Sequence, residues 1–130
     1  MVEGARLFDD IGCSSCHVAR WETGDHAVGA LSNQTIIPYT DLLVHDMGPR
    51  LGDGRSDGVA GPNEWRTAPL WGLGLTRSVN SDAGFLHDGR ARSIEEAVLW
   101  HGGEALHART AFVALAREAR ERVLVFLKSL

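Results

Sequence analysis

An all-α domain is predicted for this chain, and three stretches predict it. Residues Val2 to Ile11 carry Leu7 and Ile11 four apart with Phe8 beside them, which reads as a short amphipathic helix. Ser93-Ile94-Glu95-Glu96 opens an apolar run with a capping serine and a glutamate three residues on. From Thr110 onward, Phe112, Leu115, Ala116, Ala119, Val123, Phe126, Leu127 and Leu130 recur at helical spacing, with Arg117, Glu118, Arg120, Glu121 and Arg122 on the other side.

The elements follow in order. The first helix should run from Val2 to Ile11, and Gly4 would let another helix come close. From Val18 to Gly61 the chain reads as loop, with a short helix expected near Tyr39 to His45. Most of the fifteen glycines lie between Gly12 and Gly89, and Gly52, Asp53, Gly54, Asp57, Gly58 and Gly61 form a turn-rich stretch. Glu64 to Leu75 is apolar, with Trp65, Trp71 and an internal Pro69; Arg77 to Gly84 is a polar loop. The helix capped by Ser93 should stop at Gly102-Gly103. The last helix should run unbroken from Thr110 to the end, with Glu118 and Arg122 paired across one turn. The first and last helices are expected to cross near Gly4, Phe8 and Phe126 or Leu127.

The chain of 130 residues fits one domain, residues 1–130, large enough for a core. Hydrophobic residues make up 44% and charged residues 23%, which places it among folded globular chains rather than disordered ones. The net charge is −4 and the basic residues form no isolated run, which argues against a nucleic-acid partner. No apolar stretch approaches the roughly 18 residues of a membrane span.

Both cysteines fall in Cys13-Ser14-Ser15-Cys16-His17. C-x-x-C-H is the attachment motif of a c-type haem: two thiols add across two vinyl groups, and the histidine gives the iron an imidazole nitrogen. A structural zinc site needs about four ligands, and no second close pair exists. A thioredoxin-like dithiol wants a βαβ context that is not visible. One motif implies one covalently bound haem c, held by Cys13, Cys16 and His17. Because thioether attachment normally takes place outside the cytoplasm, a periplasmic or otherwise exported location is expected, with an export signal removed or the chain part of a longer exported protein.

The second axial ligand controls what such a haem does, and spacing alone leaves it open. Met47, His26, His45, His87, His101, His107 and Met1 are the candidates. Met1 is terminal and is set aside. His26 reads as solvated, His107 as a surface or capping residue, and His87 as a structural histidine in a tight turn. Met47 fits the common Met/His ligation, or else fills a gap in the core. His101 ends an apolar helix, where the helix dipole also favours it. Arg66 or Arg90 would suit a haem propionate. Trp65, Trp71 and Trp100 are expected to pack around the haem rather than relay electrons.

Four blocks carry a more particular signal: Tyr39-Thr40-Asp41-Leu42-Leu43-Val44-His45-Asp46-Met47-Gly48, Trp65-Arg66-Thr67-Ala68-Pro69-Leu70, Phe85-Leu86-His87-Asp88-Gly89-Arg90 and Ser93-Ile94-Glu95-Glu96-Ala97-Val98. With the opening Gly4 to His17 stretch, they resemble the C-terminal haem domain of bacterial di-haem cytochrome c peroxidases and, more particularly, related di-haem oxidoreductases sometimes labelled thiol oxidoreductases. The resemblance implies a cytochrome c-like all-α fold with loop-rich insertions around one haem. It implies that the position of the relatives' axial methionine is His101, followed by Gly102, and that Met47 stands where they have a non-ligating aliphatic residue. His17/His101 ligation is therefore expected, with His17/Met47 next and a vacant or water-bound position third. A second imidazole lowers the potential relative to a His/Met site. The resemblance also implies that Pro69 offers its carbonyl to His17. The relatives' calcium loop is replaced by Asn80-Ser81-Asp82-Ala83, so calcium is not carried over.

The expected function is a six-coordinate electron relay to a redox protein or a second haem domain. The alternatives are a peroxidase or oxidoreductase with a displaceable sixth ligand, using His45, His87 or Glu64 as acid/base, and a haem-based small-ligand sensor.

Overall fold

The computed structural model describes residues 2–130, so Met1 lies outside the described residues. Helix α1 (Val2–Asp10) buries Gly4 and Phe8, with Ile11 continuing that face. Gly12, left-handed at φ 87°, ends it and starts a 3-10 turn, Cys13–Ser15. A two-stranded antiparallel ladder follows, β1 (Trp21–Glu22) with β2 (Thr35–Ile36). A second pairs β3 (Val44–Asp46) with β4 (Glu64–Arg66), His45 facing Trp65. Then come α2 (Thr76–Val79), α3 (Ile94–Trp100), α4 (Leu106–Ala114) and α5 (Arg117–Leu127).

The all-α expectation is overturned. Helical segments make up 40% of the chain, beside two antiparallel two-stranded sheets. Strands of two or three residues are too short to imprint a period of two on the sequence. The helix expected near Tyr39 to His45 is likewise absent. Tyr39 and Leu42 are left-handed at φ 54° and 62°, a conformation no right-handed helix contains. The Thr40 hydroxyl accepts from the Leu42 amide at 3.0 Å and the Asp41 carboxylate from the Leu43 amide at 2.9 Å. These side chains offer the backbone turns in place of a helix.

The C-terminal helix also departs from expectation, because Leu115 and Ala116 are extended and split it into α4 and α5. Neither glycine nor proline marks the break. Arg120 compensates for it by donating to the Val113 and Leu115 carbonyls at 3.2 and 3.0 Å. The expected Glu118–Arg122 pair does not form; Arg122 reaches Glu3 on α1, and Arg117 pairs with Glu121.

The crossing of α1 with α5 matches the sequence reading. A Cβ at Gly4 would lie 2.2 Å from the Arg122 carbonyl oxygen, so only glycine permits this approach. Phe8 meets Phe126 edge-on at 5.4 Å, and Tyr39 sits 6.2 and 5.8 Å from the same two rings. Phe8, Ile11, Ile94, Phe112, Val123, Phe126 and Leu127 form the buried cluster. Ser93 caps α3 as predicted, its hydroxyl accepting from the Glu96 amide at 3.0 Å. The Glu96 carboxylate bonds the amide of Arg92, one residue before the cap.

Candidate haem-binding site

The 3-10 turn at Cys13–Ser15 lays the motif along one wall of a cavity of about 340 Å³. Cys13, Cys16 and His17 all line it. The two cysteines are free and half-buried. Burial, with Asp9 and Cys16 adding to it, pushes the Cys13 thiol up to about 12. Burial also raises Cys16, with Asp41 and Glu104 contributing. Most of the remaining wall is apolar, supplied by side chains such as Phe8, Leu51, Ile94, Phe112 and Leu127.

His17 Nδ1 lies 3.0 Å from the Tyr39 carbonyl oxygen. A carbonyl only accepts, so Nδ1 donates and Nε2 keeps its lone pair. His101 repeats the arrangement, with Nδ1 donating to the Ala97 carbonyl at 2.8 Å, and it lines the same cavity. Burial lowers the pKa of both rings, opposed in each by the backbone bond. Both are therefore neutral imidazoles with one basic nitrogen, the form that binds a metal.

The other candidates sort by their bonds. His45 is committed at both nitrogens, Nε2 to Asp41 and Nδ1 to Glu104, each at 2.8 Å. His87 stacks on Trp65 with centroids 3.5 Å apart and donates Nε2–H to the Leu51 carbonyl at 3.0 Å. Met47 lines the cavity. His26 lies in an exposed loop, its Nδ1 accepting from the Val28 amide. Glu64 closes a turn onto the Gly61 amide.

Pro69 lines the cavity, but the carbonyl that orients His17 belongs to Tyr39. Arg66 also lines it. Arg90 does not: it pairs with Asp88, bonds the Arg50 carbonyl and lies over the Trp100 ring at 5.0 Å. Of the tryptophans expected around the haem, Trp65 faces the cavity, Trp100 lies beneath Arg50 and Arg90, and Trp71 is exposed.

Sequence reasoning missed the Tyr39 carbonyl, Arg109 in the cavity wall, and the Asp41–His45–Glu104 array. Cys16, Asp41 and His45 place three potential ligand atoms within 4.8 Å of one another. With both His45 nitrogens on carboxylates, this is an ion pair beside a thiol, not a vacant ion site. Glu104 also accepts from the Asp46 amide at 2.9 Å, tying the turn after His101 to β3.

The family described as "Di-haem oxidoreductase, putative peroxidase" matches residues 1–130. The chain belongs to this family. No curated protein and no solved structure matches it. Membership in the di-haem oxidoreductases assigns haem as the cofactor. Two thiols, two neutral imidazoles and apolar walls around one cavity fit such a group. Among the described residues, no helix is long and apolar enough to cross a membrane.

Proposed function

We propose that this domain is a closed electron relay, with one haem c held by Cys13 and Cys16 and ligated by His17 and His101. The supporting observation is that both imidazoles have Nδ1 occupied by a backbone carbonyl, which leaves Nε2 with its lone pair, and that both line the same cavity as the two thiols. When bound, the haem supplies one-electron exchange at its iron. The chain's own part is to orient two rings and exclude water. Tyr39 and Ala97 fix the ring tautomers, which raises ligand basicity, and the Phe8, Ile94 and Phe112 side chains keep the surroundings apolar. Arg66 and Arg109 are the cations that suit the propionates. The single C-x-x-C-H in a di-haem family points to a second haem domain or a separate redox protein as the exchange partner, in the periplasm or another exported compartment.

Ferric optical and EPR spectra test this reading. A low-spin bis-imidazole signal, with no carbon monoxide binding after reduction, is expected. His101→Met should convert it to sulfur ligation and raise the potential. A high-spin spectrum, or ready carbon monoxide binding, overturns the closed site. Peroxide turnover would then separate the peroxidase reading from the sensor.

A further inference from the structure

We infer that Met47 is an exchangeable axial ligand, placed to take the iron when His101 releases it. The inference rests on the His17/His101 reading above. Strand alternation carries it first: His45 and Met47 line the cavity, while Val44 and Asp46 between and before them are exposed. Met47 is fixed by its amide, which donates to the Asn63 carbonyl at 2.9 Å. Its side chain is the remaining soft donor on the cavity wall once the two cysteines are taken by the haem.

The segments carrying the two ligands are in direct contact. A Cβ on Gly102 would lie 2.9 Å from the Met47 carbonyl oxygen, and one on Gly103 would lie 2.1 Å from that of Asp46. A Cβ on Gly48 would lie 3.0 Å from the Gly103 nitrogen. The Met47 and His101 backbones thus approach the cavity side by side. His45 does not compete, because both of its nitrogens are committed to carboxylates. His87 is held in place by its stack on Trp65 and by the Nε2–H it donates to the Leu51 carbonyl, so taking the iron would require it to leave both.

The backbone around His101 also suits release. His101 is the residue at which α3 ends, and two glycines follow it. Its ring is held by a bond to Ala97, one turn back on the same helix, and the turn beyond it is fastened to β3 through Glu104. Swinging the ring away breaks one local bond and leaves the Glu104 clasp and Met47 in place. An iron bound by two imidazoles has a lower potential than one bound by imidazole and thioether. Which side chain holds the iron therefore sets the potential of the domain.

The test uses the haem-loaded protein and its His101→Ala, His101→Asn and Met47→Leu variants. His101→Asn keeps a donor within reach of Ala97, so it guards against loss of fold. Expected are bis-imidazole spectra for the unmutated protein and Met47→Leu. Both His101 variants should stay low-spin, show the red-edge charge-transfer band of sulfur–iron ligation, and have a higher midpoint potential. That band should vanish when Met47→Leu is added. High-spin His101 variants, restored to low spin by added imidazole, overturn the inference and leave the His17/His101 reading standing. A sulfur band in the unmutated protein removes that reading instead; Met47→Leu then upholds the exchange if it becomes bis-imidazole and overturns it if it becomes high-spin. If neither His101 variant holds haem, warming the unmutated protein short of unfolding must produce the band, and Met47→Leu must not; its absence overturns the inference.

Discussion

His45 is an imidazolium by bonding, since each of its nitrogens faces a carboxylate that only accepts. Glu104, then Asp41, raise its pKa above the ordinary value. Its contribution to stability is therefore complete below about pH 6.5 and is lost as pH climbs through the raised value. Glu104 is lowered, chiefly by His45; burial pushes Asp41 up, but its bonds from His45 and Leu43 outweigh that and lower it. Their share is lost in acid instead, as pH falls through the depressed values. The thermal midpoint should be highest between these limits. His45→Leu should melt lower there and converge with the unmutated protein at alkaline pH, as melts across a pH series would show. Equal midpoints throughout would mean that the array contributes nothing. At this scale the sequence displayed Cys13, Cys16 and His17 plainly, because covalent attachment demands that spacing. The Tyr39 carbonyl was not legible. It reaches His17 through a left-handed backbone, a conformation that costs a non-glycine residue on the order of 1 kcal/mol and leaves no trace in residue type.

At the scale of elements, the crossing of α1 and α5 turns on Gly4. Gly4→Ala would gain about 1 kcal/mol of helix propensity but must displace the Arg122 carbonyl from 2.2 Å. Overpacking against backbone costs about 1–3 kcal/mol, so a net loss is expected, read as a lower denaturant midpoint at unchanged slope. Arg120→Ala should cost about 1 kcal/mol by removing the donor that covers the carbonyls at the α4–α5 break. Native-state hydrogen exchange would place the added opening at α4's end. The α1–α5 crossing was legible because small and large apolar residues alternate on both helices. The break was not, because Leu115 and Ala116 are good helix formers and only a side chain five residues away favours the extended form. The β3–β4 hairpin was missed because its register rests on three residue pairs.

Across the whole molecule, the buried cluster and the cavity share their walls: Phe8, Ile94, Phe112, Val123 and Leu127 belong to both. A haem held in this cavity would therefore complete the core that the chain leaves open. A Cys13→Ser/Cys16→Ser protein without haem should lose on the order of 5 kcal/mol, by the usual cost of large apolar cavities. Guanidinium unfolding of the two forms measures this, and equal midpoints would show that the walls close without the group. The loop-rich middle was foreseen from the glycines, but not which loops form the wall. Segments 45–51, 65–70 and 101–109 meet only in three dimensions, and a single sequence does not show which loops meet.

The place of Cys13 also sets an order in time. During synthesis the attachment motif emerges well before α5, the helix that closes over α1. Until α5 arrives, the thiols are open to whatever joins them to haem. Once the chain closes without haem, Cys13 is half-buried and its thiol is held protonated, with a pKa of about 12. A protonated thiol is a poor nucleophile. A haem-free chain that folds first would thus present Cys13 in its poorly nucleophilic form, and attachment at that thiol would be slower than in the open chain. Alkylation of Cys13 should accordingly be slow in the folded haem-free protein and fast in denaturant, as mass spectrometry would follow.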